Sequence, residues 1–424
     1  METLHFEPFE TLPEQELFAR YRRLQDEAPV YRAPSGYVVV TRYADVKEVL
    51  DQPQVFSSEI MQEEVGGLPT ELDPTMTPEE TQRLLSAATG IPLDIAELVQ
   101  SRMIVSADPP KHTRLRKVVV RAFTPKRIEA LAPTITHLVD ELLAGVDGSA
   151  PVELVRTLTE ALPVAVIADL LSVPASDRTK ISDWSERIAA ATHGPLRGTP
   201  AMQVQMVEAL RDFSGYFVPM IEARREHPTG DLISALVRAE ELDDTMTAVE
   251  SLLFILVLMF AGNETTTAAL GSTVVALLRD RAQLDLLSAD PALIPAAVEE
   301  SMRLRAPFQF MFRGATRDAE VGGLPVCKGE TLVVMYGAAN RDPRAFTDPD
   351  RFQISRVTEH AARHIAFGHG IHFCIGAHLA RLESQLALAR LLPLLPRYRL
   401  REATLARSES LLTFSYSTLD LDPV

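Results

Sequence analysis

Residues Phe367–Arg381, FGHGIHFCIGAHLAR, carry one of the chain's two cysteines and three of its ten histidines, with His364 just upstream. Zinc accepts both nitrogen and sulfur ligands, but structural zinc sites pair them at short, regular spacings. Here one sulfur would have to join histidines from a loop and a helix, which fits poorly. A buried, inert thiol is the commonest fate of a lone cysteine. The glycines argue against that fate: Gly368, Gly370 and Gly376 surround Cys374, and glycine suits close backbone approach and positive φ. A helix begins just after the cysteine, so its free N–H groups and dipole favour a thiolate. Such a loop suits a soft, planar metal cofactor.

Three further constellations are candidates. Glu300-Ser-Met-Arg303 places an acid and a base three apart on one helical face, where they can pair. Taken alone it reads as an ordinary surface ion pair. His112 and Arg116 also share a helical face, although Lys111, Arg114 and Lys117 beside them fit a solvated basic face equally well. Ala261-Gly-Asn-Glu-Thr-Thr-Thr267 follows a strongly apolar run, so an exposed turn fits it poorly. Glycine and consecutive threonines are weak helix formers, and threonine hydroxyls can bend a helix. Glu264 in such a helix is costly unless it is used.

The elements that must position these residues are mainly helical. Periodicity predicts helices over Pro13–Ala28, Ala44–Gln52, Pro109–Ala122, Lys126–Leu143, Leu154–Leu171, Pro200–Glu226, Ala248–Arg279, Ile294–Leu304 and Gly376–Leu392. Tyr37–Thr41, Phe308–Gly314 and Thr331–Met335 read as strands. No repeat or linker divides the chain, so a single mainly α domain over 1–424 with a minor β portion is expected. The long segment 57–107 lacks strand pattern and is expected to hold helices of its own. Thr77-Pro-Glu-Glu80 reads as a capping box, and Pro92–Met103 as a second short helix.

The bulk composition excludes several classes. A net charge of −16 on 424 residues disfavours nucleic acid and anionic membrane surfaces. Two cysteines make no disulfide framework. The acidic N-terminus has no apolar core and reads as neither signal peptide nor anchor. The apolar run Leu252–Gly262 is shorter than the roughly 20 residues a bilayer requires. A soluble, cytoplasmic, monomeric protein is expected.

The pattern F-x-x-G-x-x-x-C-x-G, at Phe367, Gly370, Cys374 and Gly376, resembles the haem-binding loop of cytochrome P-450 monooxygenases. Ala261–Thr267 resembles the acid–threonine motif of that family's long central I helix. Glu300–Arg303, followed by Asp348-Pro-Asp-Arg-Phe352, resembles its K-helix pair with a later arginine. These motifs run in the family's order over essentially the whole chain.

The resemblance implies haem b with the Cys374 thiolate as axial ligand, Phe367 shielding the sulfur and backbone amides near Gly376 tuning it. It implies propionate donors at His112, Arg116, Arg313 and His372, proton delivery by Glu264 and Thr265, and a structural triad of Glu300, Arg303 and Arg351. It leaves His364, His369 and His378 without a role, and Cys327 incidental.

The implied activity is insertion of one oxygen atom from O2 into a small organic molecule, by hydroxylation or epoxidation, in specialised metabolism. Electrons would come from NAD(P)H through a separate ferredoxin-type protein and its reductase, with Lys111, Arg114, Lys117 and Arg121 as candidate docking residues. A non-catalytic haem sensor and a zinc hydrolase are the rival readings.

Strand alternation in Phe308–Gly314 would turn Gln309, Met311 and Arg313 inward and Phe308, Phe310 and Phe312 away. Val257, Phe260, Ala261 and Leu412 would complete an apolar pocket, with segment 57–107 as its lid. Gln309 would be its polar handle, or would merely satisfy backbone groups at the strand end.

Overall fold

A computed structural model describes residues 4–10, 12–65, 90, 101–193, 199–238, 246–358 and 363–424. The helix expected at 77–80 lies outside the described residues. So does the one at Pro92–Met103, save 101–103, which are not helical. The chain forms two compact units: Met1–Ser57, Ile128–Pro163 and Asn263–Val424 make the first, and Ser58–Arg127 and Val164–Gly262 the second.

The first unit is built on a five-stranded sheet: β1 Val30–Arg32, β2 Val38–Val40, β3 Phe56–Ser57, β4 Met311–Ala315 and β5 Thr331–Val334, in the order β1-β2-β5-β4-β3. The β2–β5 pair is parallel, matching Val39 to Val333, and the others are antiparallel. Val38, Val39 and Val40 are all fully buried. That explains a continuous valine run in place of alternation, since a strand covered on both faces has no polar side.

Of the helices, Lys111–Ala122 (α1), Pro200–Glu226 (α2), Ala248–Arg279 (α3), Ile294–Leu304 (α4) and Ala377–Leu391 (α5) matter most here. α2, α3 and α4 keep the expected bounds. A true capping box opens α3: Thr247 Oγ1 accepts from the Glu250 amide and Glu250 Oε2 accepts from the Thr247 amide, each at 3.1 Å. The unit boundary falls within α3, between Gly262 and Asn263. α3 is long and apolar enough to cross a membrane by length and composition, although the run read from sequence is shorter; half of its most apolar window is buried in the protein, as in a core helix.

Two expected helices are broken, each near a proline. Lys126–Leu143 splits into Pro125–Glu129 and Ala132–Leu142, the latter with Pro133 in its first turn. Leu154–Leu171 becomes a π-helical turn, Val155–Thr159, followed by Ala161–Leu170. Pro163 has no N–H for the Thr159 carbonyl four residues back. That carbonyl accepts instead from Thr267 Oγ1 at 2.9 Å.

In the second unit, α2 begins on the Thr199 cap, whose hydroxyl accepts the Met202 amide. Phe213 and Phe217 of α2 pack on Trp184 with ring centroids 5.9 and 6.2 Å away. The ends of segment 57–107 are tied together, since the Ser58 amide donates to Asp108 Oδ1 at 3.0 Å.

Candidate active site

Cys374 sits three residues before Ala377, the first residue of α5, outside any disulfide and exposed. Its amide donates to the Phe367 carbonyl at 2.9 Å, closing the loop. Gly368 and Gly370 hold φ of 72° and 70°. A Cβ on Gly370 would lie 2.6 Å from the Leu50 carbonyl oxygen, so only glycine fits. Gly376 has an ordinary φ of −79° and caps α5; a Cβ there would touch Cys374 Sγ at 3.9 Å. The α5 N-terminus thus presents backbone N–H groups beside the sulfur, which favours the thiolate.

The histidines of this region are dispersed. His369 Nε2 meets Asp51 at 3.0 Å, His364 Nε2 meets Glu299 at 3.1 Å, His372 is half-buried in a short 3-10 turn, and His378 is exposed. Among the described residues no three His, Cys, Asp or Glu side chains converge as metal ligands.

Arg313 lies on β4 opposite Leu332 and is 5% exposed. Its Nη1 donates to the Phe312 carbonyl at 2.7 Å, and it also hydrogen-bonds the buried Tyr336 side chain. Among the described residues no ion pair joins it to a carboxylate. A buried cation without a counter-ion is costly, so this guanidinium suits an anionic group of a bound cofactor.

On α3, the helix continues unbroken through Ala261–Thr267. Glu264 Oε1 accepts from Thr413 Oγ1 at 2.7 Å, and Thr413 is 1% exposed. Thr265 is half-buried and Thr266 buried. Thr413 was missed in the sequence, because nothing local marks a threonine in a C-terminal turn as the partner of a helix acid 149 positions away. Val257, Phe260 and Ala261 form a half-buried apolar face on α3 in the second unit.

Two sequence expectations are corrected. The third member of the triad is Arg356, whose Nε lies 2.9 Å from Glu300 Oε1, while Arg303 Nε lies 2.8 Å from Oε2. The Arg351 side chain is exposed, and its carbonyl accepts from both Arg303 and Arg356. The loop therefore turns the Arg351 backbone, not its side chain, toward the pair.

Gln309 is 4% exposed with both ends of its amide engaged: Tyr21 Oη donates to Oε1 at 3.0 Å, and Nε2 donates to the Ala306 carbonyl at 2.6 Å. It satisfies local groups, as in the second of the two readings drawn from the sequence. β4 begins only at Met311, so alternation does not reach back to 308. Phe310 and Phe312 pack together against Phe9, whereas Phe308 packs with Met311 on the sheet core. Leu412 is buried, and its carbonyl accepts the Gln309 amide at 2.8 Å.

In the second unit, His112 is buried on α1 with Arg116 one turn on. Burial, then the Arg116 charge, lower its pKa to about 4, so its imidazole is neutral at pH 7. Arg114 is ion-paired with Glu250.

An exposed thiol on a glycine loop at a helix N-terminus, with a buried cation on the neighbouring sheet that has no ion pair among the described residues, suits a haem-thiolate centre. The family model described as Cytochrome P450 matches residues 88–288 and 288–401. Cytochrome P450 107B1 of Saccharopolyspora erythraea is 36% identical over 391 residues, 91% of this chain and 89% of that protein. The mycinamicin IV hydroxylase/epoxidase of Micromonospora griseorubida is 36% identical over 417 residues, 96% and 95% of the two chains. The solved structure of CYP109Q5 from Chondromyces apiculatus is 34% identical, with a TM-score of 0.81 over 97% of each chain.

The protein is a haem-dependent monooxygenase. It belongs to the cytochrome P450 family, whose haem b is held by a cysteine thiolate.

Proposed function

We propose that this enzyme hydroxylates or epoxidises a medium-to-large, largely apolar small molecule of specialised metabolism, with Cys374 as the iron ligand. The observation that carries the ligand assignment is the placement of Cys374, exposed on a loop closed by the Phe367 carbonyl at the start of α5. Haem bound there supplies activation and cleavage of dioxygen, with the thiolate pushing electron density toward the metal.

The chain's own residues do the rest. Arg313 holds an anionic propionate. Glu264, oriented by the Thr413 hydroxyl, gives up and regains a proton at Oε1 or Oε2. Thr265 orders that proton's path. Val257, Phe260 and Ala261 of α3 offer apolar surface to substrate and exclude water. One relative, named as a mycinamicin IV hydroxylase/epoxidase, supports this choice of reaction and substrate class.

Electrons come from NAD(P)H through a ferredoxin-type protein. Lys117 and Arg121 are exposed on α1 and form the docking candidates, whereas the Arg114–Glu250 pair leaves less net charge at that position. The substrate proposal is tested by screening a metabolite library for the haem spin-state shift on binding. Apolar hits that become oxidised with surrogate redox proteins support it; binding confined to small, charged compounds refutes it.

A further inference from the structure

Glu299 adjoins Glu300 in α4 but serves a different group. Its carboxylate takes a two-pronged ion pair from Arg381 of α5, with Nε and Nη2 at 2.7 and 2.9 Å. The oxygen that meets Nη2 also lies 3.1 Å from His364 Nε2. His364 Nδ1 accepts the Ala366 amide at 3.2 Å, so Nε2 carries the proton and donates to Glu299.

Both partners of Glu299 bear on one ring. The Arg381 guanidinium carbon is 4.4 Å from the Phe367 ring centroid, and the His364 ring is 5.9 Å from it. The Phe367 carbonyl is the group that accepts the Cys374 amide. All four side chains border a recess of about 1040 Å3, so tight packing alone does not fix them. Burial alone would raise the Glu299 pKa; the His364 hydrogen bond and Arg381 overcome it and hold it at about 2. The clamp is therefore charged at neutral pH.

We propose that Glu299 is a positioning residue for the cysteine loop, acting through Arg381 and His364 to hold Phe367 and thereby keep the Cys374 sulfur in its ligand geometry. This rests on the reading of Cys374 as the haem ligand. It gives a role to His364, for which the family resemblance supplies none. Outer partners of a metal ligand set both its orientation and the metal's potential.

The test uses the holoenzyme and its Glu299→Gln, Glu299→Asp, Phe367→Leu and Glu299→Gln/Phe367→Leu variants. Two quantities are read: the lifetime of the red-shifted band of the reduced carbon monoxide complex, and the haem reduction potential. Thermal unfolding is followed alongside. Glu299→Gln is expected to shorten the lifetime by about tenfold and to raise the potential, because Arg381 then lacks its counter-charge. Glu299→Asp restores part of both. In the Phe367→Leu background the effect of Glu299→Gln falls to about twofold or less, since the two act in one chain of contacts.

A Glu299→Gln protein that unfolds earlier yet keeps the wild-type lifetime and potential would reduce Glu299 to a staple between helices and overturn the proposal. So would an undiminished effect in the Phe367→Leu background. A Cys374→Ala protein that keeps the red-shifted band overturns the ligand assignment and the clamp together. Loss of the band in Cys374→Ala with no response to Glu299→Gln overturns the clamp alone.

Discussion

Thr413 and Glu264 make the most consequential contact of single residues, because the orientation of the α3 acid depends on a hydroxyl in the C-terminal turn. Thr413→Val keeps the shape and removes the hydroxyl. It is expected to raise peroxide released per NAD(P)H consumed several-fold, while Thr413→Ser stays near wild type. Thr265→Ala should also uncouple, and Glu264→Gln should slow turnover.

The triad gives a second comparison. Arg356→Ala removes one partner of a buried carboxylate and should cost about 3 kcal/mol in urea unfolding, whereas Arg351→Ala should stay within about 0.5 kcal/mol. The choice between these two arginines was not legible from one sequence. Both follow the Asp-Pro-Asp turn within a few residues, and the outcome depends on which backbone group the turn points inward. The same applies to Gln309, whose strand assignment was three residues too long at its start, so the inferred direction of its side chain failed.

Helices α2, α3 and α4 were legible to the residue, because apolar periodicity is joined by a capping threonine in α2 and α3 and by a first-turn proline in α4. The failures lie near Pro133 and Pro163, where the periodic pattern continues but a backbone donor is missing. In compensation, Thr267 supplies the bond that Pro163 cannot make, which explains one of the three threonines in structural terms.

α5 carries a feature its periodicity hides. Glu383 is 2% exposed, and burial pushes its carboxyl up from 4.5 to about 8. The folded chain then keeps a proton that the unfolded chain releases, so this residue makes stability fall as pH rises from about 4.5 to about 8. Glu383→Gln should flatten that fall, seen as a higher unfolding midpoint at about pH 8 than wild type and a smaller difference at about pH 5. Glu299 has the opposite sign: its stabilisation is present above 4.5 and is lost as pH falls toward about 2.

The whole molecule carries a net charge of −16, which opposes an acidic electron donor at long range. If the basic face of α1 steers that donor locally, Lys117→Glu/Arg121→Glu should slow reduction by a ferredoxin at low ionic strength. The two proteins should converge as salt rises toward about 1 M. Equal rates at low salt would exclude this face.

Fold class, family order and the cysteine loop were legible at this scale because each motif combines residue types with fixed spacing. Contacts between distant segments, such as Glu299 with Arg381, were not. The central claim is that Cys374 is the sulfur ligand of the haem, and the spectrum of the reduced carbon monoxide complex tests it most directly. Cys374→Ala is expected to lose the red-shifted band while Cys327→Ser retains it in full; a red-shifted band that survives in Cys374→Ala contradicts the assignment.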